Sequence, residues 1–354
     1  MTHGSRSDYR YRYETTGASR PDSPYAGPVS TTLLAPPTAA VRRPALGLGL
    51  VVLGALLFVV NAGVSRVALR AGVDPATLTT IRLTGTTLVL VGVAAAFRPS
   101  ALRPPTGRLG WLLVLHGLVG VAGLQWTYFV AIDRLPVGMA LLLEYQAPIL
   151  VALWARVVQK ESVRPRMWVG LGLALVGMAA VTGIWRGLAF DTVGIVAGLG
   201  AAVCFAAYFL IGEHGVGLLD PLRVILWAFL VATVAMNLVS PLTGFDTGLL
   251  DDAAPLLGRL DGLSVPVWTA LTWVILLGTL IPFAVALLAL QHLPATTVTM
   301  ASMLEPVGVS VLGWIWFRES LGAVAVIGCA AVVAGIVLAQ SARRAAVVVE
   351  PPHL

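Results

Sequence analysis

Two carboxylates lie inside apolar runs of this chain, each close to a proline. One run reads Ala140-Leu-Leu-Leu-Glu144-Tyr-Gln-Ala-Pro148-Ile-Leu-Val-Ala-Leu-Trp154, and the other Met300-Ala-Ser-Met-Leu-Glu305-Pro306-Val-Gly-Val-Ser-Val-Leu-Gly-Trp314. In a bilayer a charged side chain at such a depth costs roughly 2.5–3.5 kcal/mol even on lenient insertion scales. A carboxylate kept there suits two kinds of chemistry: carrying a proton, or meeting a substrate ammonium. The structural alternative is a protonated acid hydrogen-bonded between helices. Pro148 and Pro306 lack the amide that would bond the carbonyl four residues back, which frees the carbonyls of Glu144 and Ser302 beside the acids. Irregular backbone at this depth is tolerated where it is buried in protein or lines a wet cavity. A packing kink and a gating hinge both fit these prolines.

Arg82, which follows Thr79 and Thr80, is the counter-charge. It is placed to bind a substrate carboxylate, to pair with Glu144, or to snorkel to the interface. Asn61, Gln125, Tyr128, Tyr145, Gln146 and Tyr208 are candidates for a polar path, with helix-to-helix hydrogen bonding as the alternative. His116 has no second histidine at ligand spacing and reads as packing or interfacial. Cys204 and Cys329 sit in apolar runs without CxxC spacing, so neither a metal site nor redox chemistry is expected. There is no Walker A sequence, GxSxG, HExxH or GxGxxG in its proper context. No cofactor and no enzymatic activity are expected, and without an ATP site any pumping is driven by an ion or substrate gradient.

These residues need elements to hold them, and the composition says which. The chain has 354 residues, is 58% hydrophobic and 11% charged, and its mean hydropathy is +0.88. A single soluble core could hardly hide so much apolar surface. About 20 apolar residues span a bilayer as a helix, and ten such runs occur. They are Ala45 to Ala62, Ala76 to Phe97, Leu109 to Ile132, Val137 to Val158, Met167 to Trp185, Val193 to Ile211, Pro221 to Val239, Val267 to Leu290, Ala295 to Phe317 and Leu321 to Gln340. The expected fold is an all-α membrane protein of ten transmembrane helices. Residues 1–44, rich in Ser, Pro, Thr, Arg and Tyr, read as a disordered cytoplasmic tail, and 342–354 as a second cytoplasmic tail. The first apolar run begins too late for a signal peptide. Trp111, Trp126, Trp154, Trp185, Trp268, Trp273, Trp314 and Trp316 fall mostly near helix ends, as an aromatic belt does. The glycines inside the runs, Gly170, Gly172 and Gly177 among them, let backbones approach closely, within the monomer or in a homodimer.

The chain repeats itself. A shift of 158 lays Pro136 on Pro294, Ala131 on Ala289, Leu135 on Leu293, Pro148 on Pro306, Glu161 on Glu319, Gly170 on Gly328 and Gly177 on Gly335. Upstream the shift is 146 and lays Asp74-Pro75 on Asp220-Pro221, so the second copy has an enlarged loop from Asp246 to Asp261. The two units are 45–186 and 187–341. Five helices per unit is an odd number, so the copies should cross the membrane in opposite senses. Charge agrees: Arg98, Arg103, Arg108, Lys160, Arg164 and Arg166 crowd the loops after the second and fourth helices. The matching loops of the second copy hold Arg259 and Arg318 beside Asp246, Asp251, Asp252 and Asp261. The positive-inside rule makes the first set cytoplasmic and the second external, with both termini inside. This topology also accounts for the net charge of +6 without nucleic acid. Inverted repeats of this kind build many secondary transporters, with the binding site at the repeat interface.

The two five-helix copies, each with a Pro-containing fourth helix closing on Gln159-Lys-Glu161 or Phe317-Arg-Glu319, resemble the EamA domain of the drug/metabolite transporter superfamily over roughly Pro44 to Gln340. Within it, Leu135-Pro-Val-Gly-Met-Ala-Leu-Leu-Leu-Glu144-Tyr-Gln-Ala-Pro148, Leu293-Pro-Ala-Thr, Ser302-Met-Leu-Glu305-Pro306 and Ile81-Arg82-Leu83 look most like the threonine/homoserine exporter branch. The chain departs from the family pattern in its closing turns, Lys160-Glu-Ser and Arg318-Glu-Ser where members often have Gly-Glu, and in the long Asp246 to Asp261 loop. The resemblance implies export of amino acids or related small metabolites across the cytoplasmic membrane, in exchange for protons. A cationic multidrug exporter is the second expectation, and a non-transporting membrane scaffold or membrane-embedded enzyme the third.

Overall fold

The structure is a computed structural model and describes residues 43–135, 137–183, 191–320 and 322–341. Both tails, Trp185, Pro136 and Leu321 lie outside the described residues. Ten helices among them are long and apolar enough to cross a membrane: α1 Pro44–Arg70, α2 Pro75–Phe97, α3 (107–134), α4 (137–157), α5 Pro165–Thr182, α6 Thr192–Leu218, α7 Pro221–Val239, α8 Val267–Leu290, α9 Ala295–Ile315 and α10 Ala323–Ser341. Two boundaries move well past the expected ones. α1 runs on to Arg70 rather than stopping at Ala62, and α6 to Leu218 rather than Ile211. Hydropathy ends a span where charge begins, whereas the backbone stays helical through Arg66 and Glu213 because neighbouring elements hold it.

The helix starts are written in the sequence. Asp74 precedes Pro75, and its carboxylate accepts the amides of Ala76 and Thr77 at 3.0 and 3.1 Å. Asp220 before Pro221 does the same for Leu222 at 2.9 Å, and Asp191 for Gly194 at 2.7 Å. Proline at the first helical position and an acid at the cap satisfy or remove amides that have no intrahelical partner. The face of the bundle on which α1 begins is called the near face below, and the opposite one the far face. Arg98 and Asp220 meet on the near face at 3.9 Å, Arg134 and Asp191 on the far face at 3.6 Å.

Several distortions recur at matched positions of the two halves. α3 passes through a π-helical stretch at His116–Gly123, and α8 at Leu276–Leu280. A shift of 158 places 116–123 on 274–281, which contains the second stretch. α4 breaks at Tyr145 and Gln146 between Val137–Glu144 and Ala147–Val157, and α9 at Met303 between Ala295–Ser302 and Leu304–Ile315. The turns that follow both carry a left-handed residue, Lys160 at φ 56° and Arg318 at φ 59°. In each turn the next amide reaches back six residues, Glu161 to the carbonyl of Ala155 at 2.9 Å and Glu319 to that of Gly313 at 3.1 Å. A positive φ is a conformation that glycine adopts most readily.

α5 and α10 pack through four glycines. A Cβ on Gly177 would lie 2.7 Å from the carbonyl oxygen of Gly328, and one on Gly335 2.6 Å from that of Gly170. Only bare backbones approach so closely. These glycines are therefore committed to the inside of the chain. α2 and α7 are joined by hydroxyls and an amide instead: Thr87 to Thr233 at 2.8 Å, Asn237 to Thr84 at 3.0 Å, and Thr80 to the carbonyl of Ser240 at 3.0 Å. Thr87 and Thr233 are 146 apart, the upstream repeat shift.

The 240–266 loop caps the far face. It contains a two-stranded antiparallel hairpin, β1 Ala253–Pro255 with β2 Ser264–Pro266, in which Ala254 faces Val265. Arg259 donates its amide to the carbonyl of Trp316 at 2.8 Å, and the Trp316 indole donates to the carbonyl of Leu256 at 2.9 Å. Ala254 is buried with Val67, Val73, Leu78 and Leu271. Trp316 thus leaves the expected belt to anchor the cap, while Trp111, Trp154, Trp268 and Trp314 stay exposed on the bundle exterior. A small sheet was not expected, because its strands are only three residues long and carry no alternating pattern.

Candidate functional site

The breaks in α4 and α9 lie beside the two acids. Pro148 is the second residue of the segment Ala147–Val157, so its missing amide falls in a first turn where no helical partner is due. The carbonyl of Gln146 is taken by the amides of Ile149 and Leu150 at 3.0 and 3.2 Å. Pro306 stands likewise in the first turn of Leu304–Ile315. The prolines therefore accompany interruptions of the helices, where the sequence suggested a kink or hinge in a continuous one. Near-face segments of the two helices pack on each other, while 137–144 of α4 packs on α6 and 304–315 of α9 on α1.

One contact ties the two breaks together. The Tyr145 hydroxyl donates to Oε2 of Glu305 at 3.0 Å, and the Tyr145 ring is buried edge-on against Phe205 with centroids 5.9 Å apart. Arg82 on α2 and Tyr128 on α3 both lie within electrostatic reach of Glu305 and Glu144. Glu144 and Glu305 also act on each other. Four elements, α2, α3, α4 and α9, thus carry ionisable groups within electrostatic reach of one another. About seven residues separate Glu144 and Arg82 from the far-face ends of their helices, a depth of roughly 10 Å at 1.5 Å per residue. The Nε of Arg82 is buried and has no hydrogen-bond partner among the described residues. A partly buried guanidinium with its Nε unpaired and two carboxylates within electrostatic reach can hold an anion on one side while a cation is held on the other.

The remaining candidates divide. Gln125 is buried on α3 three residues before Tyr128, on the same face. Ser302 lines an apolar cleft together with Glu305 and Tyr208, and its hydroxyl donates to the carbonyl of Thr299 at 2.7 Å. Phe58 of α1 and Phe205, Phe209 and Phe283 of α6 and α8 complete the cleft wall. Tyr208 donates to the carbonyl of Phe283 at 3.4 Å and stacks on His116 at 5.0 Å, so it belongs to the aromatic packing beneath the cluster. His116 is fully buried there, which decides for packing over the interface. Asn61 presses its side chain on Gly278 in the π stretch of α8 and accepts from Ser65 at 3.5 Å. It acts between helices. Gln146 donates to the carbonyl of Leu142 at 3.1 Å.

Sequence reasoning missed the partnership of Tyr145 with Glu305, since nothing local links residues 160 apart. It also missed Arg66, whose guanidinium meets Glu319 at 2.6 Å and lies 4.6 Å above the Phe317 ring, joining α1 to the turn after α9 on the far face. The charge of Arg66 late in an extended α1 was the available signal. Among the described residues no group of His, Cys, Asp and Glu is arranged to hold a metal ion.

Ten helices long and apolar enough to cross a bilayer make this a multi-pass membrane protein. It is a transporter: residues 45–183 and 192–340 each match the EamA-like transporter family, and the chain belongs to that family. It is 28% identical over 73% of its length to the threonine/homoserine exporter RhtA of Escherichia coli K12, covering 79% of that protein, and 27% identical over the same shares to its Salmonella typhimurium counterpart. It is 24% identical to the uncharacterized transporter YwfM of Bacillus subtilis, over 69% of this chain and 78% of the relative. A solved crystal structure superposes with a TM-score of 0.70 at 21% identity, covering 85% of this chain and 99% of that one, and shares the fold.

Proposed function

We propose that this transporter exports small metabolites, amino acids first, across the cytoplasmic membrane in exchange for protons, by alternating access between two inverted halves. The observation that carries the reading is the Tyr145–Glu305 bridge between the breaks of α4 and α9, with Arg82 of α2 within electrostatic reach of Glu144 and Glu305. In this mechanism Arg82 holds the substrate carboxylate. One acid meets the substrate ammonium and the other exchanges a proton; Pro148 and Pro306 let the segments on either side of each break move. The near face, with Arg98, Arg103, Lys160, Arg164 and Arg166 in its loops, is the cytoplasmic one under the positive-inside rule, and it is the face where α1 begins and α10 ends.

Inversion of the halves is supported by an odd number of spans per family match and by the way matched positions meet. Gly170 faces Gly335 while Gly177, the repeat equivalent of Gly335, faces Gly328, the equivalent of Gly170. Such an exchange of partners is what a two-fold relation produces. The similar proteins named as threonine/homoserine exporters make threonine and homoserine the first substrates to try.

In proteoliposomes with an imposed pH gradient, the protein should move labelled threonine or homoserine, and Glu144→Gln should abolish the movement while the variant still elutes as folded protein. Unchanged transport by Glu144→Gln overturns the assignment. A cationic drug-like substrate is the second reading, since two acids suffice for it. Arg82→Gln separates them: it should stop amino-acid export and leave export of a cation intact.

A further inference from the structure

The near face holds a second cavity, away from the ionic cluster. It has a volume of about 480 Å³, and its walls come from α2, Arg98, α7, α8 and their near-face ends; among the described residues none of α4 or α9 lines it. The floor is Leu90, Ile225 and Leu287, all nearly fully buried, and the rim is Arg98, Asp220 and Gln291. The gap lies where α2 and α8 diverge; they are held together toward the far face. There Thr86 donates to the carbonyl of Ile275 at 3.2 Å, and Ile275 packs against Gly85. Beyond the π stretch Leu276–Leu280, the segment Ile281–Leu290 turns from α2 toward α1, α6 and α7. Leu90 lies seven residues before the end of α2, so the cavity reaches roughly 10 Å into the leaflet.

The rim has a definite charge pattern. Arg98 and Asp220 stand 3.9 Å apart with side chains 68% and 50% exposed. A pair so long and so wet contributes little by itself, and either group gains more from a closer partner. Asp220 spends one oxygen on the Leu222 amide and turns the other to Arg98. The complement of this arrangement is a molecule with an apolar tail, a phosphate for Arg98 and an ammonium for Asp220.

We propose that the cavity between α2, α7 and α8 binds a phosphatidylethanolamine molecule of the near-face leaflet, its acyl chain on Leu90, Ile225 and Leu287, its phosphate on Arg98 and its ammonium on Asp220. The site does not depend on the transport reading, because it shares no residue with the ionic cluster. Native mass spectrometry of the purified protein, stripped with detergent and offered equal amounts of phosphatidylethanolamine and phosphatidylglycerol, tests it. The wild type should retain one phosphatidylethanolamine with at least fivefold preference. Arg98→Gln should weaken retention of both lipids about fivefold, and Asp220→Asn, which keeps the helix cap, should erase the preference. Leu288→Trp, at the partly exposed edge of the same cavity, should block retention by filling the space and guards against a charge effect remote from the site. Equal retention of the two lipids by the wild type, preference for phosphatidylglycerol, or retention unchanged by Arg98→Gln and Leu288→Trp in proteins of wild-type melting temperature each overturns the proposal.

Discussion

Replacing Tyr145 with phenylalanine removes one oxygen from the centre of the proposed transport site and little else. The ring keeps its edge-on contact with Phe205 at 5.9 Å, so packing is preserved. The hydroxyl bonds at 3.0 Å to Oε2 of Glu305, and a hydrogen bond to a charged group is worth about 1.5–3 kcal/mol. That bond joins the break of α4 to the break of α9, the two places where the halves are expected to move. If alternation separates the two breaks, the bond belongs to one conformer, and its loss lowers that conformer's population roughly tenfold to a hundredfold. Initial rates of threonine or homoserine export in proteoliposomes would then fall by a similar factor. Labelling of a cysteine placed at Gly248 in the far-face loop, compared with and without the substitution, reports the shift between conformers independently of substrate. Tyr145→Leu, which loses the ring as well, should be worse. Wild-type export and wild-type labelling in Tyr145→Phe would refute the reasoning, because the bridge would then be a bystander.

Other substitutions test the architecture. Gly177→Leu drives a side chain into the backbone of α10, where the obstacle at 2.7 Å is the Gly328 carbonyl; the loss should approach about 3 kcal/mol and show as a large fall in melting temperature. Lys160→Gly and Arg318→Gly relieve left-handed conformations at φ 56° and 59° and should each stabilise by about 0.5–1 kcal/mol after the greater freedom of glycine in the unfolded chain is subtracted, seen as a rise in melting temperature. Asp74→Ala removes the cap of α2 and should cost about 1 kcal/mol. Burial alone would raise the Asp74 pKa, but hydrogen bonds from Thr77 and Ala76 outweigh it and hold the carboxyl below its ordinary value. The cap's contribution is therefore complete above the unfolded-state pKa and is lost as pH falls through the lower folded value, so the gap in melting temperature between wild type and Asp74→Ala should be steady near neutrality and close in acid.

The sequence by itself determined the spans, their count and their pairing into two copies. Apolar runs of bilayer length, Asp-Pro starts at 74–75 and 220–221, and the 158-residue register from Pro136 to Gly177 are local or periodic signals, readable without a fold. It also named the acids and Arg82, because charge inside an apolar run stands out wherever the run is placed. Only tertiary structure decided which of the polar residues lie beside one another. Tyr145 and Tyr208 look alike in the sequence, yet one bonds to Glu305 and the other to a backbone carbonyl of α8 beside His116. Asn61 turned out to fill the space over Gly278, and Trp316 to hold the 240–266 loop. Helix azimuth is the reason: a few degrees of rotation or a π stretch redirects a side chain, and neither leaves a mark in hydropathy. The far-face cap was hidden for a related reason, since three-residue strands stabilised by docking on Trp316 carry too little pattern to be seen until the surface they dock on exists.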